Sequence, residues 1–193
     1  MDPINIIIGL NIFATLGANL SGAKKGLKSK ITVAKEKPQS YLQKVPIMLS
    51  TVTLIVLIFS IFQVGTIAYT EEYNFLRIIA LLAYLLFSWI QIWSYKTLGE
   101  QYSQEVLIFR THKIVNKGLY RVIRHPQYLS QIVIDLGGAF ATLSYVLLPL
   151  AIIQIPLLIL RARFEEKLME KHFKQEFIDY KKRTSFILPF PKL

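Results

Sequence analysis

Long apolar runs alternate with short polar segments along this chain, and the runs are too continuous for the amphipathic helices of a soluble core. The first covers residues 4–20, broken only by polar residues such as Asn5, Asn11 and Asn19, whose amides can bond a neighbouring helix inside a bundle. It lacks a basic leader and an Ala-x-Ala cleavage pattern, so a first transmembrane helix is expected there instead of a signal peptide. Residues 46–69 carry no charge; at ~1.5 Å per residue they are long enough to cross ~30 Å of hydrocarbon. A third run, 74–95, gathers Trp89, Trp93 and Tyr95 near its end, as an interfacial aromatic belt would.

Residues 128–160 are apolar for too long to be one span. A break near Thr142–Tyr145, after Gly137 and Gly138, divides them into a tight hairpin of two short or tilted helices, with Pro149 and Pro156 kinking the second arm. Between the third run and this hairpin, 96–124 is polar, with a short β-branched or helical piece at Val106–Phe109. Beyond Arg161, Phe164, Leu168, Phe173 and Phe177 recur at helical spacing, predicting an amphipathic helix over about 164–182 outside the membrane. The stretch Phe186–Pro191 is extended by its prolines and apolar enough to dock.

The pattern predicts an all-α polytopic membrane protein with five transmembrane helices, an N-terminal three-span region (1–95) and a C-terminal region (96–193). Composition agrees: 53% of residues are hydrophobic and mean hydropathy is +0.41. The net charge of +11 would admit nucleic acid as a partner, but the distribution argues for a membrane. Seven Lys and Arg residues fall in 21–45, six in 96–125 and nine after residue 160, and only Arg77 lies elsewhere. The positive-inside rule then puts the N-terminus outside and the C-terminus, with both polar segments, on the cytoplasmic side. Residues 21–45 lie on anionic lipid or form a solvated linker.

The chain has no cysteine, and its three histidines, 112, 125 and 172, lack metal-ligand spacing, so no metal is expected. Candidate chemistry concentrates in His112–Tyr128, a cationic segment wedged beside apolar runs. The hairpin should return the chain to where it entered, bringing Arg161 and Glu165, i and i+4 on one helical face, close to His125 and Tyr128. Such a pocket offers an arginine for an anion, a carboxylate for an ammonium or hydroxyls, an imidazole and a phenol. With no serine–histidine–acid order and no phosphate loop, it suits transfer by positioning better than hydrolysis. Asp135, the one acid in the hairpin's first arm, is a channel group or, more commonly, an interhelical hydrogen-bonding residue. His172, on the outer helix, is given no role.

The string Gly118-x-Tyr120-Arg121-x-x-Arg124-His125-Pro126-x-Tyr128, followed by an apolar hairpin, Arg161-x-x-x-Glu165-Glu166 and Tyr180–Arg183, resembles the isoprenylcysteine carboxyl methyltransferase family. More distantly it is similar to the membrane phospholipid methyltransferases. The likeness covers roughly residues 95–190, with departures at Leu119 and at Leu129–Ser130. It implies an integral membrane enzyme that transfers a methyl group from S-adenosylmethionine to the terminal carboxylate of a prenylated cysteine, releasing S-adenosylhomocysteine. It further implies that His112, Lys113, Ile114, Val115, Tyr120, His125, Pro126, Gln127 and Tyr128 line the cofactor pocket, that Glu165 meets the cofactor, and that Arg161 faces the substrate carboxylate. Glu105 corresponds to another cofactor contact. Lipid-borne substrates and membrane lipids are the implied partners. Alternatives are methylation of a phospholipid amine, an NADPH-dependent membrane reductase, and a non-catalytic lipid-binding scaffold.

Overall fold

The computed structural model describes residues 2–30 and 34–189, with 18–30 and 34 described by their backbone alone. The described chain is mostly helical: α1 (Pro3–Lys30), α2 (Val45–Ile61), α3 (Asn74–Leu98), α4 (Pro126–Ala141), α5 (Leu147–Phe173) and α6 (Gln175–Arg183). Two short strands, β1 (Ala34–Glu36) and β2 (Ile108–Phe109), pair antiparallel, Glu36 opposite Ile108. The piece at Val106–Phe109 is therefore partly a strand.

Local chemistry sets several of these boundaries. Asp2 accepts the backbone N–H groups of Ile4 and Asn5 at 3.0 and 3.2 Å, capping α1 with Pro3 in its first turn. Pro126 likewise opens α4, where its missing N–H leaves no bond unmade. At Lys174 a positive φ of 46° ends α5 and turns the chain into α6.

Four expectations need correction. The first helix does not stop at residue 20 but continues to Lys30, through a stretch rich in the helix formers Ala, Leu and Lys. The second ends at Ile61 instead of 69, because Gln63 (φ 63°) and Gly65 (φ 71°) turn the chain. Ile67 then bonds the Leu143 carbonyl at 2.9 Å. The amphipathic helix over 164–182 is not one helix: α5 runs unbroken from Leu147 to Phe173 and α6 follows, since Arg, Ala, Glu, Lys, Leu and Met all favour helix. Pro149, expected to kink, sits in the first turn of α5, where its N–H would have no intrahelical partner. By length and apolarity, Tyr41–Ile61, Glu71–Gln101 and Leu147–Phe173 can cross a membrane. The apolar part of α1, Pro3–Gly17, and the 16-residue α4 are shorter.

The core joins Ile8 of α1, Leu57 and Ile61 of α2, Ala80, Leu81 and Tyr84 of α3, Ala139 and Ala141 of α4, and Leu147 of α5. Large side chains such as Phe13, Phe59, Phe75 and Leu82 face outward, as lipid contact requires. Polar ties cross between helices. Arg77, 3% exposed, donates to both carboxylate oxygens of Asp2 at 2.7 and 2.9 Å and to the Ala141 carbonyl at 2.8 Å.

Helices α3 and α4 approach closely at Gly137. A Cβ there would lie 3.0 Å from the Ala80 carbonyl oxygen and 3.2 Å from the Tyr84 backbone nitrogen, and backbone cannot swing aside. Gly137→Val should therefore separate the two helices and cost about 1–3 kcal/mol, read as a lower thermal midpoint in detergent.

Candidate active site

The middle of α5 and the start of α4 carry the polar side chains that meet. The Tyr128 hydroxyl donates to Glu165 Oε2 at 2.9 Å and accepts from Arg161 Nε at 3.1 Å. His125 stacks on Tyr128 with ring centroids 5.4 Å apart. Its Nδ1 lies 3.9 Å from Glu165 Oε2 and its Nε2 lies 3.2 Å from Glu166 Oε1. The imidazole at the N-cap position of α4 thus makes no cap bond and turns to the acids of α5.

Arg161 is 4% exposed, and four oxygens converge on its guanidinium. Besides Tyr128, Nη1 donates to the carbonyls of Leu42 and Gln43 at 2.8 and 3.1 Å, and Nη2 to that of Gln104. The neighbouring backbone is fixed by an amide clamp: Gln43 donates to the Val106 carbonyl at 2.7 Å and accepts the Val106 N–H at 2.8 Å. All four partners of Arg161 are uncharged. Among the described residues no carboxylate forms an ion pair with it.

Glu166 is the residue that sequence reasoning undervalued. It is buried, accepts Arg124 Nε at 2.5 Å and His125 Nε2 at 3.2 Å, and lies 3.5 Å from Lys181 Nζ. Arg124 also donates to the Thr184 carbonyl, and its guanidinium sits 5.8 Å from the Phe186 ring centroid. The C-terminal tail runs beside 122–125, with Arg124 N–H bonded to the Ser185 carbonyl, His125 N–H to that of Phe186 and Ser185 N–H to that of Val122. The tail docks as expected through Ile187, whereas Leu188 and Pro189 are exposed; the rest of the expected segment, residues 190–191, lies outside the described residues. The signal available in the sequence was Glu166 one step beyond Glu165, within reach of two basic side chains.

Two cavities flank Tyr128. The first, about 660 Å³ with its open mouth included, is lined by His112, Lys113, Ile114, Val115, Tyr120, His125, Gln127, Tyr128 and Glu165, together with Arg124, Glu166, Met169 and Phe177. Of the predicted cofactor residues, Pro126 lies buried at the helix start, behind this wall. Glu105 is not in it and pairs with Lys37 at 2.8 Å. The second cavity is lined by Arg161, Gln104, Tyr95, Tyr102, Ser50 and Gln131, and again by Gln127 and Tyr128. Gln127 Nε2 is buried with no hydrogen-bond partner, although it belongs to the walls of both cavities. An amide donor kept dry and unpaired beside a cavity fits a ligand that brings an acceptor.

The sequence model of the phospholipid methyltransferase family matches residues 75–176, just over half of the chain, from α3 into α6. The chain belongs to that family. No curated protein matches it. The matched span of this membrane methyltransferase contains both segments that meet at Tyr128, and membership displaces the reductase and scaffold alternatives. His172, given no role above, lies with its Nε2 2.8 Å from Glu36 Oε2.

Burial holds the His112 imidazole of this methyltransferase below its ordinary value of 6.5, with the Glu165 charge opposing and the His172 charge reinforcing that shift. Tyr120 is pushed well above its ordinary value, chiefly by burial and further by Glu165. Because the folded value of His112 is lowered, the unfolded chain binds more protons there as the medium acidifies. The stability tied to His112 is present above pH 6.5 and is lost as pH falls through the folded value. A thermal midpoint that drops on acidification below pH 6.5, with a shallower drop in His112→Asn, is the expected result. Separately, Glu166→Ala leaves the buried Arg124 charge unpaired and should cost about 3–5 kcal/mol, measured by thermal unfolding.

Proposed function

We propose that this membrane methyltransferase transfers the methyl group of S-adenosylmethionine to the C-terminal carboxylate of a prenylated cysteine. The observation that carries this reading is Arg161. It is a buried cation, bonded only to uncharged oxygens and set in the wall of a cavity. A charge taken out of water without a counter-ion costs several kcal/mol, so that cavity attracts an anionic acceptor group, and a carboxylate suits a guanidinium best.

The first cavity suits the cofactor in its chemistry. Met169, Phe177 and Leu98 offer apolar contact for an adenine, while Glu165 and the unpaired Gln127 amide offer an acceptor and a donor for its polar parts. His112–Val115, Tyr120, His125, Gln127 and Tyr128 would hold it. When bound, S-adenosylmethionine supplies a methyl group on a sulfonium that departs as the thioether S-adenosylhomocysteine, so an ionised carboxylate needs no general base. Tyr128 stands between the two cavities and, pinned by Glu165 and Arg161, fixes how closely their contents approach. Arg161 orients the acceptor, and with four of its N–H groups already committed it has little freedom to wrap and quench a carboxylate. Bound ligands would displace water from both cavities, which would strengthen these contacts.

In this reading the chain crosses the bilayer five times, with α1 and α4 as the short or tilted crossings, the N-terminus outside and the site on the cytoplasmic side. The acceptor enters from the lipid. A second reading, methylation of a phospholipid amine, draws its support from the family match, and Glu165 or Glu166 would then draw the ammonium.

Labelled S-adenosylmethionine with the protein in nanodiscs, offered N-acetyl-S-farnesylcysteine or phosphatidylethanolamine, separates the two. A carboxyl methyl ester releases labelled methanol in alkali, whereas an N-methyl group does not. Volatile label from the farnesylcysteine, reduced at least a hundredfold in kcat/KM by Arg161→Ala while the fold is retained, is the expected outcome. Alkali-stable label confined to phosphatidylethanolamine would replace the first reading with the second.

A further inference from the structure

Beyond the second cavity lies a larger one, about 1360 Å³ with its open side included, framed by Ile12 of α1, Ser50 and Leu54 of α2, Tyr84 of α3 and Asp135 of α4. Ser50, Gln91, Tyr95 and Gln131 line both, so the space beside Arg161 adjoins it. This chamber is where the tail of an acceptor held at Arg161 would extend.

Asp135 is 5% exposed and only half of its carboxyl is used by the protein. Oδ1 accepts Gln131 Nε2 at 2.9 Å and Thr53 Oγ1 at 3.3 Å, and Gln131 in turn accepts Gln91 Nε2 at 2.9 Å. Three helices therefore orient the group. Oδ2 is buried with no partner, in the wall of the chamber. An interhelical hydrogen bond accounts for Oδ1 and leaves Oδ2 unexplained, and an unpaired carboxyl oxygen in an apolar bundle is costly.

We propose that Asp135 is the anchor of a subsite for a hydroxyl group carried on the acceptor's tail. A hydroxyl can donate to Oδ2 when the carboxyl is ionised and accept from it when protonated, so it completes the site in either state. An ammonium would serve only the ionised form, among walls that are largely apolar. Asp135 lies two helical turns beyond Tyr128, about 10 Å along α4, which sets the distance between hydroxyl and reacting group. The proposal rests on the reading that this chamber takes the acceptor. Sites built to bond a hydroxyl discriminate strongly against analogues that lack one.

The test compares N-acetyl-S-farnesylcysteine with three analogues hydroxylated on the first, second or third isoprene unit, using the full chain in nanodiscs. Methyl transfer and thermal stabilisation are read for each compound. The expected result is kcat/KM at least tenfold higher for the analogue hydroxylated on the second unit, with that preference erased in Asp135→Leu and partly kept in Asp135→Asn. Equal kcat/KM and equal stabilisation across the four compounds, or a preference that survives Asp135→Leu, would overturn the subsite. If none of the four accepts a methyl group but the hydroxylated analogue still stabilises wild-type protein more than its parent, the acceptor reading fails and the subsite stands. Should the leucine variant not fold, the comparison among analogues in the wild-type protein decides alone.

Discussion

The burial of one guanidinium organises this molecule. A charge at Arg161 has been moved out of water, and several kcal/mol of desolvation must be offset by fixed oxygens. They come from three places far apart in the chain: the carbonyls of Leu42 and Gln43 ahead of α2, the carbonyl of Gln104 after α3, and the Tyr128 hydroxyl on α4. Segments from three parts of the chain are thus drawn to the middle of α5. The residues ahead of 95 are part of the site's framework, even though the family match begins at Phe75.

Tyr128 is the other half of that constraint. Its hydroxyl is shared between Glu165, facing the first cavity, and Arg161, facing the second. A phenol in that position separates the cavities by the width of one ring and links a carboxylate to a guanidinium without letting them collapse into a direct pair. Had Glu165 reached Arg161 directly, the charge that recommends an anionic acceptor would be neutralised.

Much of the helical layout could be read from hydropathy, because apolar runs and prolines are local signals. The break between α4 and α5 is of this kind, and the start of α4 at Pro126 lies two residues ahead of the expected 128. Misread boundaries had causes that periodicity does not see: positive φ at Gln63 and Lys174, and helix propensity carrying α1 and α5 through charged sequence. In the site, the approach of Arg161 and Glu165 to Tyr128 followed from spacing and an up-and-down chain path. The roles of Glu166 and Arg124 did not, because one carboxylate beside another and one arginine among many look like surface charge until burial is known. Glu105 shows the reverse, a position matched by resemblance whose side chain turns to Lys37.

The tail that runs beside residues 122–125 ties two distant parts of the chain together outside the membrane helices. The N–H groups of Arg124 and His125 find their acceptors on Ser185 and Phe186, and the Phe186 ring lies 5.2 Å from the His125 ring. His125 lines the first cavity, yet the groups that hold its backbone come from beyond α6. Insertion of the helices alone therefore leaves that wall unbraced, and the rigidity of the working centre depends on a segment that no membrane helix carries.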